Sequence, residues 1–66
     1  MVGRVRIFLD LYDNKNKRVA TVNVFDMTAK EVYNMIDRLV NKQYKNRNVT
    51  SVLVRSNEEN YFTLNY

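Results

Sequence analysis

A chain of 66 residues with neither cysteine nor histidine has room for one core and lacks the groups from which most enzymes build a nucleophile or general base. The same absence excludes disulfide frameworks and thiolate metal sites. The net charge of +4, from 11 Lys and Arg against 7 Asp and Glu, suits a polyanion partner and ordinary solubility alike.

Asparagine and lysine are abundant, proline is missing and glycine occurs once. This is the usage of AT-rich coding, common in compact viral and plasmid genes. No apolar run is long enough to span a bilayer and no secretory signal is visible, so an intracellular, cytoplasmic protein is expected. Asn48-Val49-Thr50 matches the glycosylation acceptor pattern and reads as a chance match in that setting. The whole chain, 1–66, reads as a single domain.

Residues 3 to 12 alternate cleanly. Val5, Ile7, Leu9 and Leu11 fall on one face; Arg4, Arg6, Phe8, Asp10 and Tyr12 fall on the other. This is a half-buried strand with an aromatic outer face. Asp13-Asn14-Lys15-Asn16 forms a turn without glycine, in residues that tolerate positive φ. Lys17 to Phe25 returns, with Ala20, Val22 and Val24 inward and Lys17, Val19, Thr21, Asn23 and Phe25 outward.

The helix is signalled next. Thr28 and Glu31 form a capping box, and Met27 and Val32 are placed for a hydrophobic staple. Val32, Met35, Ile36, Leu39 and Val40 recur at spacings of three and four, predicting a helix from Thr28 to about Lys45. Tyr33 and Tyr44 border its apolar face. Asp26 lies at the helix entrance, where the dipole favours a carboxylate, and the basic last turn suits the opposite end. Asn46 or Asn48 can supply the left-handed stop.

Val49 to Arg55 is a β-branched run. Either Val52 and Val54 or Val49 and Leu53 can be its inward pair. Ser56-Asn57-Glu58-Glu59-Asn60 is a second polar turn, and Tyr61 to Tyr66 closes the chain with Phe62 and Leu64 inward.

The expected class is α+β, ββαββ, with a single helix on one face of a four-stranded mixed sheet. Placing the first and last strands side by side in the middle gives the order 2-1-4-3. That order resembles the β-grasp arrangement of ubiquitin-like and immunoglobulin-binding bacterial domains. The resemblance is one of topology, and the chain carries no Gly-Gly for conjugation. The pattern favours that order and leaves 1-2-3-4 and 2-1-3-4 open as alternatives.

Catalysis finds little support. Glu58 and Glu59 are adjacent but sit in a short exposed turn, and Asp10 reads as a surface ion pair with Arg6 beside Tyr12. No Gly-rich phosphate loop and no EF-hand spacing is present. No enzyme, cofactor, metal, membrane or small-molecule substrate is therefore expected.

The informative feature is the face away from the helix, where Arg4, Arg6, Phe8, Tyr12, Lys17, Val19, Phe25, Leu53, Arg55 and Tyr61 should lie. Three readings compete there. The aromatics can be cross-strand packing. They can be a protein interface or self-dimer surface, since aromatics and arginine are enriched at interface centres. They can stack unpaired bases, with Arg38, Lys42, Lys45 and Arg47 extending the footprint. The helix's basic end is also explained by dipole compensation alone. The expectation is a small non-enzymatic regulator of virus or plasmid type acting by protein–protein contact. A nucleic-acid-binding module using the same face is the alternative.

Overall fold

The computed structural model describes residues 6–66. Strands β1 (Arg6–Asp13) and β2 (Arg18–Phe25) precede helix α1 (Ala29–Arg38); β3 (Val49–Arg55) and β4 (Asn60–Asn65) follow it. Arg4 and Val5, expected at the start of the first strand, lie outside the described residues.

The four strands form one sheet in the order β2-β1-β3-β4, and every pairing is antiparallel. The 2-1-4-3 order and the mixed sheet are therefore corrected. Strands β2 and β3 do run in the same direction, but β1 separates them. The reason lies in burial. β1 and β3 carry Leu9, Leu11, Val52 and Val54, all 2% exposed or less, and they take the two central positions. β4 is short and polar, with Asn60, Thr63 and Asn65, and it goes to an edge.

Helix α1 covers one face, as periodicity requires. Its capping box is complete: Thr28 Oγ1 accepts from the Glu31 N–H at 3.3 Å, and Glu31 Oε1 accepts from the Thr28 N–H at 2.9 Å. The hydrogen bond from the Thr28 backbone holds the Glu31 carboxyl below its usual range. Val32, Ile36 and Leu39 are buried with the strand valines and leucines in one core. Truncating a side chain as enclosed as Ile36 costs about 2–5 kcal/mol. A domain of this length holds roughly 3–10 kcal/mol in all.

The expected regular helix to Lys45 is shorter. After Arg38 the chain widens into a π turn, Leu39–Gln43, then a 3-10 turn, Lys45–Arg47. The Tyr44 N–H donates to the Leu39 carbonyl at 2.8 Å, five residues back. Leu39 is buried in the core and half-buried Tyr44 packs against it. Asn48 then ends the helical segment in the left-handed region, φ 57° and ψ 46°.

Three irregularities change the simple alternation. Between β1 and β2, Val19 is an extra residue, since Leu11 faces Ala20 and Tyr12 faces Arg18. Val19, expected outward, packs against the core instead. Between β1 and β3, Thr50 is extra, which lets Val49 join Val52 and Val54 inside. Leu53 faces outward. Between β3 and β4, Tyr61 is extra beside the turn.

Both hairpin turns are built from side-chain hydrogen bonds in place of glycine. Asp13 Oδ1 accepts from the N–H groups of Lys15 and Lys17, each at 2.9 Å, and Asn16 takes φ 63°. These bonds, that of Lys17 foremost, hold the Asp13 carboxyl below its usual range. In the second turn Ser56 Oγ accepts from the N–H groups of Glu58 and Glu59, each at 3.2 Å.

Candidate functional site

The helix-free face divides into a closed centre and an open end. Asp10 is the centre. It points away from the helix yet is only 2% exposed. Register places Thr21 of β2 and Leu53 of β3 directly opposite it. Arg55 lies opposite Phe8, one diagonal step away, and its side chain crosses the Phe8 ring with the guanidinium carbon 4.8 Å from the ring centroid. There Arg55 Nε donates to Asp10 Oδ2 at 2.5 Å and Nη2 to Oδ1 at 3.4 Å. Thr21 Oγ1 donates to Oδ1 at 2.7 Å.

Burial of Asp10 pushes its carboxyl toward the neutral form. The hydrogen bonds from Arg55 and Thr21, with the charges of Arg55 and Arg18, outweigh that and hold it below the usual range. Arg55 is in turn held more firmly protonated by its hydrogen bond to Asp10. Asp10 is therefore no surface pair with Arg6 beside Tyr12; its partner is 45 residues away in sequence. Phe8, Tyr12 and Leu53 are half-buried around this group. They are the cross-strand packing expected of one reading, and Phe8 and Arg55 are engaged with each other.

The open end lies where β1 begins and β2 ends. Arg6 pairs with Phe25, and its guanidinium carbon lies 5.9 Å from the Phe25 ring centroid. Phe25 is 49% exposed and Tyr61 is 44% exposed. The bulge that makes Tyr61 extra sets it beside the Ser56–Glu59 turn. Arg6, Phe25 and Tyr61 share with that turn a cleft of about 500 Å³, rimmed by the carboxylates of Glu58 and Glu59. Lys17 is at the other end of β2, roughly 26 Å from Phe25 at strand rise, and does not join them. Of the sequence candidates, then, Arg6, Phe25 and Tyr61 come together in the open; Phe8, Tyr12, Leu53 and Arg55 come together in the closed centre.

Arg38, Lys42, Lys45 and Arg47 are all exposed. Asp13 pairs with Val49, and Thr50 Oγ1 donates to the Asp13 carbonyl at 3.1 Å. This joins the end of the helical segment to the first hairpin, so Lys45 and Arg47 share one end of the sheet with Lys15, Lys17 and Arg18. The Glu58–Glu59 turn is at the opposite end.

One cluster escaped the sequence reading. On the helix side, Tyr33 of α1 stacks on Phe62 of β4 with centroids 6.0 Å apart and planes 20° from parallel. Phe62 points inward as expected but stays 40% exposed, with the Tyr33 ring stacked on it from the helix. Only the strand order could have revealed this.

Among the described residues there is no group of three or more carboxylates, histidines or cysteines able to hold a metal, and no helix long and apolar enough to cross a membrane. No protein-family model matches this chain, and no curated protein or solved structure is significantly similar to it.

Proposed function

We propose that this is a small non-enzymatic regulatory protein of virus or plasmid type that acts by occupying a target protein. The contact is centred on the open end of the helix-free face: Arg6, Phe25 and Tyr61. The observation that carries this is the juxtaposition of two half-exposed aromatic rings, a cation and two acidic residues around one cleft. Aromatic anchors with arginine are the composition of interface centres. Charges of both signs around the cleft complement a polypeptide segment better than a polyanion, which Glu58 and Glu59 would repel. The test is quantitative cross-linking in the native host with wild type, Phe25→Ala and Tyr61→Ala. Both substitutions should reduce capture of the same target at least tenfold, whereas Lys42→Ala should not. Equal capture by all four proteins would sink the reading.

A nucleic-acid role is the second reading, and it draws support from the basic end rather than the face. Arg55 is committed to Asp10, while Lys15, Lys17, Arg18, Lys45 and Arg47 gather at one end of the sheet. Such a module would lose affinity steeply with salt. Failure to shift single-stranded DNA or RNA at low salt would end it.

A further inference from the structure

The two edges of the sheet differ in how they are guarded. Edge strands expose unpaired backbone groups, and natural proteins block them with charges, proline or bulges. The β2 edge opens on Arg18 just after Lys15 and Lys17, and its Val19 bulge disrupts the ladder. β4, Asn60–Asn65, has no charge and no proline. Its one bulge, at Tyr61, lies beside the turn; from Phe62 onward the pairing with β3 is regular.

Backbone accounting shows what that edge offers. The Tyr66 N–H donates to the Thr50 carbonyl of β3 at 2.7 Å. Strand alternation turns the N–H and C=O of Leu64 and Phe62 the same way. The N–H and C=O groups of Thr63 and Asn65 therefore point outward, away from β3. Above this edge, on the helix side, stand the stacked Tyr33 and Phe62, with Tyr66 55% exposed nearby.

We infer that β4 is a self-association edge, at which a second copy of this chain pairs antiparallel about a two-fold axis at Leu64. Thr63 of each copy then exchanges two hydrogen bonds with Asn65 of the other, and Leu64 faces Leu64. Two four-stranded sheets become one continuous sheet. A second copy fits because the outward groups of Thr63 and Asn65 are complementary to themselves about that axis, and because the β4 segment carries no cation, so copies of net charge +4 meet there without opposing charges on the paired strands. The same operation brings the two Tyr33–Phe62–Tyr66 clusters together across the axis. Three half-exposed rings cover roughly 300 Å² per copy, on the scale of whole aromatic side chains. With the backbone edge added, the total falls short of the ~1,200–2,000 Å² of a stable interface, so the dimer is weak and concentration-dependent.

The test is sedimentation equilibrium over a range of concentrations, with amide exchange on the same samples. Wild type should dimerise reversibly, and the amides of Thr63 and Asn65 should gain protection with concentration while that of Leu64, already bonded to β3, should not. Thr63→Pro deletes an outward N–H and no bond to β3, so the fold should persist while dimerisation is lost. Thr63→Lys, which keeps the backbone intact, should weaken dimerisation at least tenfold and decides the matter should the proline variant unfold. A wild type that stays monomeric throughout overturns the inference. So does a folded Thr63→Lys that dimerises like wild type. A dimer abolished by Phe25→Ala and not by Thr63→Lys would place self-association on the helix-free face instead.

Discussion

The centre and the open end of the helix-free face are made of the same residue types, and they do opposite things with them. At the centre, a ring, an arginine and a carboxylate (Phe8, Arg55, Asp10) satisfy one another until the carboxylate is 2% exposed. At the end, a ring and an arginine (Phe25, Arg6) lie close but leave the ring half exposed beside a cleft. Glu58 and Glu59 line the same cleft. Composition alone therefore does not identify an interface. What distinguishes the two regions is exposure: the Asp10–Arg55 pair closes the centre across neighbouring strands, whereas Phe25 and Tyr61 stay half exposed.

The sharpest way to break this comparison is at the centre. Asp10→Ala removes the acceptor for Arg55 and Thr21 and should lower stability by about 1–2 kcal/mol, or roughly 5–15 °C in melting temperature. Target capture should be unchanged below the melt. A variant as stable as wild type would show that the closed centre contributes nothing.

Acid titration sharpens the same point. The Asp10 carboxyl is lowered in the folded protein from an ordinary value of 3.8. A depressed carboxyl stabilises the fold at pH above its unfolded value, and that contribution disappears as pH falls through the lower folded value. Stability should thus be flat from pH 5 to 8 and fall below about pH 4. Asp13 and Glu31 act with the same sign. Chemical denaturation of Asp10→Asn should show a shallower acid limb; an identical limb would assign acid sensitivity to Asp13 and Glu31 alone.

At the open end the expected pattern inverts. Phe25→Ala or Tyr61→Ala should change stability by no more than about 0.5 kcal/mol, the scale of surface substitutions, yet lose the target. A large fall in melting temperature would class these rings with Phe8 as packing. Smallest of all is Lys17→Ala at the far end of β2. It should alter neither melting temperature nor capture, since the Lys17 contact to Asp13 comes from its backbone.

Local features were legible and long-range ones were not. The capping box, the apolar stripe of α1 and the inward rows of β1 follow from spacings of two, three and four residues. Asn48 was already a candidate for the left-handed stop. Strand order was not legible, because β1 and β4 show similar alternation and only their burial in three dimensions separates a centre from an edge. Asp10 was assigned to its own strand neighbours because its partner, Arg55, is remote in sequence. Val19 and Val49 changed faces through bulges, which alter parity by one residue and leave no mark in composition.

Three of the described junctions turn through positive φ without glycine. Asn16, Asp26 and Asn48 each take a positive φ, between 57° and 63°. A Cβ in that region is a standing conformational cost that glycine does not carry. These junctions are thus where the protein keeps its untapped evolutionary headroom. Glycine at such positions relieves local strain without touching the core, while loosening the unfolded chain in return. A lineage under thermal selection has Asn16 and Asn48 to adjust before it need alter a single residue of either sheet face.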